Sequence, residues 1–168
     1  DLPWRISPSP YRTLVSEFML QQTVMATVIP YFHRFMGRFG DLQALAAARE
    51  EDVTALWSGL GYYARARRLH ATAVAVVARH EGQLPSSEVE LRKLPGVGEY
   101  TAAAIAAISF GARTFALDGN AARVVARVFR QRDAIDLPKV RVQLRALGQT
   151  LVPAQRPGDF AQAVMELG

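Results

Sequence analysis

Apolar residues in this chain recur at every third or fourth position, while the strict alternation that a half-buried β-strand needs is scarce and short. A chain patterned this way has to bury helix against helix, so the fold class expected is all-α. Tyr11 to about Phe39 carries helical spacing with Pro30 near a break, and Asp41–Ala48 and Glu50–Trp57 read as short helices. GLGYY at 59–63 reads as a loop, Tyr63–His80 as a long helix ended by Glu81-Gly82, and Ser86/Ser87 as the cap of a short helix through Lys93. Helices from Glu99 to Gly111, Ala121 to Arg130 (with Arg123, Arg127 and Arg130 on one face), Leu137 to Leu151 and Gly158 to Leu167 follow, with 112–117 extended between the first two. Half of the 168 residues are apolar, which suffices for a real core, and no flexible linker separates the parts.

The longest apolar stretches, 71–78 and 102–108, fall well short of the roughly 20 residues that span a bilayer, so no membrane contact is expected. The opening DLPWRISPSP lacks the basic start and apolar run of a secretory signal, and the abrupt ends read as those of an excised fragment that is not secreted. Cysteine is absent, which excludes disulfides, thiolate metal sites and a thiol nucleophile within these residues. Of the 20 Lys and Arg, set against 15 Asp and Glu, only Lys93 and Lys139 are lysine. Arg grips phosphate in a fork where Lys offers a point charge, so a polyanionic partner is suspected; solvated helix faces are the plainer explanation of the same charge.

LPGVGEYTA, residues 94–102, sharpens that suspicion. Gly96 and Gly98 flank Val97 in a tight hairpin whose backbone lets another molecule approach, both glycines tolerating positive φ. The helix that begins at Glu99 aims its unpaired N–H groups back at the loop, and a phosphate fits there. A helix–helix turn with no ligand is the alternative. The backbone carbonyls of Arg92, Leu94 and Val97 are also candidates to hold Na+ or K+.

Two carboxyls could do chemistry. Glu17, in SEFMLQQT, lies among Leu14, Val15, Phe18, Met19 and Leu20. Desolvation raises a carboxyl pKa, and a carboxyl that keeps its proton can give it to a leaving group; capping or pairing on an exposed helix face is the alternative. Asp118, in LDGN, precedes a helix and can accept its first N–H groups, which is expected to lower its pKa and keep it anionic, or it is a plain N-cap. One protonated and one ionised carboxyl are what cleavage of a glycosidic bond requires. Tyr100 can hydrogen-bond or stack where a Lys could have attacked a sugar carbon, or it is a core aromatic. In GLGYYARARRLH, Leu60 and Tyr62 could enter a base stack while the arginines hold the nucleic-acid backbone; a turn followed by an amphipathic helix is the alternative. Gln21 and Gln22 could fill a vacated base position or stand as surface glutamines.

LPGVGEYTA resembles the hairpin of the helix-hairpin-helix DNA glycosylase superfamily, and SEFMLQQT, GLGYYARARRLH and LDGN together resemble MutY-type adenine DNA glycosylases. The resemblance runs from LPWR to FAQAVMELG. It implies two helical lobes, a six-helix barrel over about 10–112 and a second lobe from 1–9 with 113–168, and a DNA-binding cleft between them. It further implies hydrolytic removal of adenine mispaired with 8-oxoguanine or guanine in double-stranded DNA, by a monomer in the bacterial cytoplasm or nucleoid, or in a nucleus or mitochondrion. By the same resemblance Glu17 is the acid and Asp118 the stabiliser of the sugar cation or of its covalent adduct. Asn120 and Tyr100 orient that pair; Gly96, Val97, Gly98, Gln22, Leu60, Gly61 and Tyr62 bind DNA; and Trp4, Arg5 and Leu20 line the adenine pocket. Lyase relatives resembling endonuclease III carry Lys where Tyr100 stands, so simple hydrolysis is implied. Full members continue past VMELG into four cysteines that ligate a [4Fe-4S] cluster and into a domain that recognises 8-oxoguanine; neither is in this sequence. A related mismatch or pyrimidine glycosylase, or a DNA-binding module without turnover, are the other readings.

Overall fold

In a computed structural model that describes residues 2–168, every regular element among the described residues is a helix. They are α1 (Pro3–Ile6), α2 (Pro10–Leu20), α3 (Met25–Arg38), α4 (Leu42–Ala46), α5 (Glu50–Leu56), α6 (Ala64–His80), α7 (Glu88–Leu91), α8 (Glu99–Phe110), α9 (Gly119–Val128), α10 (Pro138–Leu151) and α11 (Pro157–Leu167). Local chemistry sets several of the ends. Ser9 Oγ accepts the Arg12 N–H at 3.2 Å with Pro10 at the first helical position of α2, and Asp41 Oδ1 accepts the Ala44 N–H at 2.7 Å to start α4. Glu81 takes up a left-handed φ of 53° to end α6.

The break expected at Pro30 falls earlier. α2 stops at Leu20, Gln22 turns the chain at a φ of 54°, and α3 starts at Met25 with the Val24 carbonyl accepting the Thr27 and Val28 N–H groups. Pro30 is exposed inside α3, where it removes a single backbone donor and leaves the helix continuous. α9 likewise ends at Val128, which leaves Arg130, at a φ of 54°, off the helix and out of the row with Arg123 and Arg127.

The chain forms two compact units: one runs to Pro85 and includes Val89–Gly98, and the other comprises Ser86–Glu88 with Glu99–Gly168. Residues 2–9 fall in the first unit and α8 with all that follows it in the second; Asp1 lies outside the described residues. Packing within each unit accounts for this grouping. The Trp4 ring stands edge-on to Phe32 of α3 at 5.4 Å, and Arg12 Nη2 donates to the Pro3 carbonyl at 2.6 Å, which ties α1 to α2 and α3. α8 packs on α11, with Tyr100, Ile108 and Met165 against Ala103, Ala104 and Ala116.

In the first unit α6 packs against α2, α4 and α5, and Phe35 sits between Phe39 and Trp57 with ring centroids 5.2 and 6.0 Å away. In the second, Phe115, Val125, Val140, Leu144 and Val164 join α9, α10 and α11. A Cβ at Gly158 would lie 2.7 Å from the Ala107 carbonyl oxygen and 2.9 Å from the Ile108 Cα, so glycine is what lets α11 close on α8.

Candidate functional site

α2 carries Glu17 into the interior. Its flanking residues Leu14, Val15, Phe18 and Met19 are 0% exposed and Glu17 itself only 7%. The exposed-face alternative is thereby removed, since a carboxyl is seldom taken this deep for solvation or surface pairing. Of the residues expected to line a pocket beside it, Trp4 is buried against Phe32, Leu20 is half-buried at the end of α2, and Arg5 is exposed on α1.

Two loops of the same unit are drawn together by Arg65, at the start of α6. Its Nη1 donates to the carbonyls of Phe18, Met19 and Gln21 at 3.2, 2.7 and 2.6 Å, and its Nη2 to those of Leu60 and Gly61 at 3.3 and 3.1 Å. One of the arginines expected to hold a nucleic-acid backbone thus holds the protein's own. Leu60, expected as a wedge, is 6% exposed and anchors its loop in the core; the loop offers Tyr62, 63% exposed at a φ of 49°, and the less exposed Tyr63 to solvent. Gln22 is exposed as well, and Gly61 takes a φ of 79° before Tyr62.

The hairpin of the first unit is built as a turn, with the Leu94 carbonyl accepting the Val97 N–H at 3.2 Å and the Pro95 carbonyl accepting Thr72 Oγ1 at 2.5 Å. Its glycines differ. Gly96 takes a φ of 75° and a Cβ there would meet the Arg68 Cβ at 2.6 Å, whereas Gly98 needs no left-handed conformation and a Cβ there would meet nothing within 4 Å. Val97 between them is buried, so the loop shows backbone and not side chain at its tip. The Leu94 carbonyl keeps a second lone pair after bonding Val97, so a three-carbonyl cation site with Arg92 and Val97 is chemically compatible with the turn.

In the second unit Asp118 is the N-cap of α9, its Oδ1 accepting the Ala121 N–H at 2.7 Å. The expectation that capping depresses its pKa is overturned. Burial pushes the Asp118 carboxyl up, and the N–H groups of Ala121 and Asn120 together with nearby Arg123 offset only part of this. Asn120 Nδ2 donates to the Met165 carbonyl at 3.0 Å and its Oδ1 accepts Arg123 Nη2, while Tyr100 Oη donates to Met165 Sδ at 3.5 Å. Asn120 and Tyr100 therefore meet at one residue of α11, Met165, and Asp118 stands two residues before Asn120 at the start of α9.

A sequence profile described as HhH-GPD superfamily base excision DNA repair protein matches residues 15–149. The chain belongs to that superfamily. It is 48% identical to an adenine DNA glycosylase of Homo sapiens, an alignment that covers 100% of this chain and 32% of that relative. It is 38% identical to an adenine DNA glycosylase of Buchnera aphidicola subsp. Baizongia pistaciae (strain Bp), with 99% of this chain and 47% of the relative covered. The chain thus spans a third to a half of the length of these curated relatives. A thermostable thymine-DNA glycosylase of known structure superposes with a TM-score of 0.88 at 28% identity, over 99% of this chain and 76% of that one. A non-covalent endonuclease III–DNA complex, at 21% identity and a TM-score of 0.82, shares the fold.

Set in the HhH-GPD superfamily, the chain shows two site features that spacing alone did not disclose. Arg65 stands at the start of a stripe of buried positions, Leu69, Thr72, Ala73 and Val76, where a charge is out of place; that anomaly was its signal. Met165 gave none, because a methionine on an apolar face reads as core. Nothing among these residues suits an iron–sulfur cluster: the sequence holds no cysteine, and no group of three or more His, Asp or Glu among the described residues could hold a metal ion.

Proposed function

We propose that this chain is the catalytic core of a DNA glycosylase that extrudes adenine mispaired with 8-oxoguanine or guanine from duplex DNA and hydrolyses its N-glycosidic bond. The observation that carries the reading is Glu17, a carboxyl only 7% exposed on a helix whose flanking Leu14, Val15, Phe18 and Met19 are fully buried. Glu17 donates its proton to the adenine ring, the bond from the ring nitrogen to the anomeric carbon breaks with its electron pair going to the base, and the sugar is left as a cation. Asp118, in its ionised form and held by Asn120, faces that cation until water adds to the anomeric carbon and loses a proton. The glycosylase names of relatives aligned over the whole chain, adenine-specific in sequence and DNA-bound in one structural neighbour, support the substrate.

The hairpin binds phosphate through backbone N–H groups, which the open space at Gly98 permits, and the carbonyls of Arg92, Leu94 and Val97 hold Na+ or K+ there. Gln22 and Tyr62 enter the stack as the base leaves. Trp4, Arg5 and Leu20 border the adenine. Chemistry stops at an abasic site: Lys93 is exposed and paired with Glu90 at 2.6 Å, Lys139 is exposed, and Tyr100 cannot form a Schiff base. Acting where genomic DNA is kept, in a nucleoid, nucleus or mitochondrion, the chain works as a monomer. Single-turnover reaction with an adenine:8-oxoguanine duplex, followed by alkali, tests this. Strand breaks are expected only after alkali, fastest with that mismatch, and Glu17→Gln should bind the duplex and release no base; release by that variant at the wild-type rate rejects the acid assignment.

A further inference from the structure

The proposal above gives Gln22 and Tyr62 a shared task, and the structure supplies the means of coordinating them. We propose that Arg65 is a positioning residue that locks the Gln22 turn and the Gly59–Tyr63 loop into one unit, so that both side chains meet the duplex in a fixed register. This inference rests on the glycosylase reading for its consequence, though not for the clamp itself.

The geometry is specific. Gln22 and Tyr62 both hold left-handed backbones, with φ of 54° and 49°, which strains a non-glycine residue and persists only where surroundings over-determine it. In each case the carbonyl immediately before the strained residue, that of Gln21 or of Gly61, accepts from Arg65, at 2.6 and 3.1 Å on different guanidinium nitrogens. Of the five hydrogen bonds the guanidinium donates, three end on the carbonyls of Gln21, Leu60 and Gly61 in these two segments, and two on those of Phe18 and Met19 in the last turn of α2, which leads into the Gln22 turn. The guanidinium also lies 5.5 Å from the ring centroids of buried Trp57 and exposed Tyr62, so the ring meant to enter the duplex rests on the group that sets its backbone. Arg65 is only 5% exposed and is not positioned to touch phosphate. A rigid planar fork reaches the two segments from separate nitrogens held at a fixed spacing, whereas the three donors of an ammonium radiate from one atom on a flexible stem.

The test compares wild type with Arg65→Lys. One measurement is affinity for undamaged duplex; another is the fluorescence of 2-aminopurine placed at the target adenine opposite 8-oxoguanine; the last is single-turnover base release at saturating protein. Arg65→Lys should bind undamaged duplex within about twofold of wild type, lose the fluorescence rise that reports extrusion, and release base roughly 10²-fold more slowly. Fluorescence and rate within about threefold of wild type overturn the proposal. If the variant does not fold, amide exchange in the wild-type protein decides. Segments 20–23 and 59–63 should open with a common protection factor, and independent opening overturns the clamp. A wild-type chain that releases base from no mismatch rejects the glycosylase reading, while the exchange result still decides the clamp.

Discussion

At the N-cap of α9 the Asp118 carboxyl serves two ends that conflict. It accepts the Ala121 N–H at 2.7 Å, yet burial outweighs this bond and raises its pKa above the ordinary aspartate value. Just above that ordinary value the folded chain therefore binds more protons at Asp118 than the unfolded chain does, so this group's contribution to stability is present at lower pH and is lost as pH rises through the window up to the raised pKa. Asparagine caps a helix as well as aspartate does and carries no charge to desolvate. Asp118→Asn should therefore melt no lower than wild type at pH 7, with the difference vanishing below the ordinary aspartate range, while base release falls by roughly 10²-fold or more. Calorimetry across that pH range together with single-turnover kinetics checks this, and a variant clearly less stable than wild type at pH 7 contradicts the burial argument. The hairpin glycines offer a second contrast. Gly98→Ala meets nothing within 4 Å and should leave stability within about 0.5 kcal/mol of wild type while weakening duplex binding. Gly96→Ala must strain a φ of 75° and displace Arg68, and should cost about 1–3 kcal/mol in urea unfolding.

Between elements, the contact of α8 with α11 is open to test by a single methyl group at Gly158. The Cβ of Gly158→Ala would lie inside contact distance of backbone at Ala107 and Ile108, atoms that cannot rotate away as a side chain can. Separation of the helices should cost about 1–3 kcal/mol, read as a fall of several degrees in Tm; an unchanged Tm shows that α11 is not seated by this glycine. At this scale most helices were legible, because 3.6-residue apolar spacing and caps such as Ser9 and Asp41 act within one turn. The turn at Gln22 was not, since the carbonyl before it, that of Gln21, is bonded by Arg65 from 44 residues along the chain and the visible breaker, Pro30, sits where a helix tolerates it. An Ala-rich helix such as α8 likewise carries no mark of which partner it will choose. Of the site, Glu17 and Asp118 could be found as residue types among apolar or capping neighbours. The sign of the Asp118 shift depends on how deeply it is buried, which no local pattern encodes.

Over the whole molecule, a net charge of +5 predicts that duplex binding weakens with salt, but the two kinds of phosphate contact should respond differently. Counterions are released when a cationic side chain neutralises phosphate, which gives about −0.9 in the slope of log K against log salt for each such contact. The hairpin offers neutral N–H groups, so its contact adds affinity and fixes register while adding little to that slope. Arg127 is exposed on α9, whereas neighbouring Arg123 is engaged by Asn120 and by the Gly168 carbonyl at 3.1 Å. Arg127→Gln should therefore lower the magnitude of the slope by about 1 and weaken binding equally for matched and mismatched duplexes. Gly98→Ala should shift the whole line to weaker binding at an unaltered slope, and Glu17→Gln should alter neither. Anisotropy titrations between roughly 50 and 200 mM salt separate these outcomes, a range across which each lost charge contact is worth between three- and fourfold. A Gly98→Ala line with a shallower slope would mean that the hairpin binds through neighbouring cations such as Arg92 or Lys93 and not through its backbone.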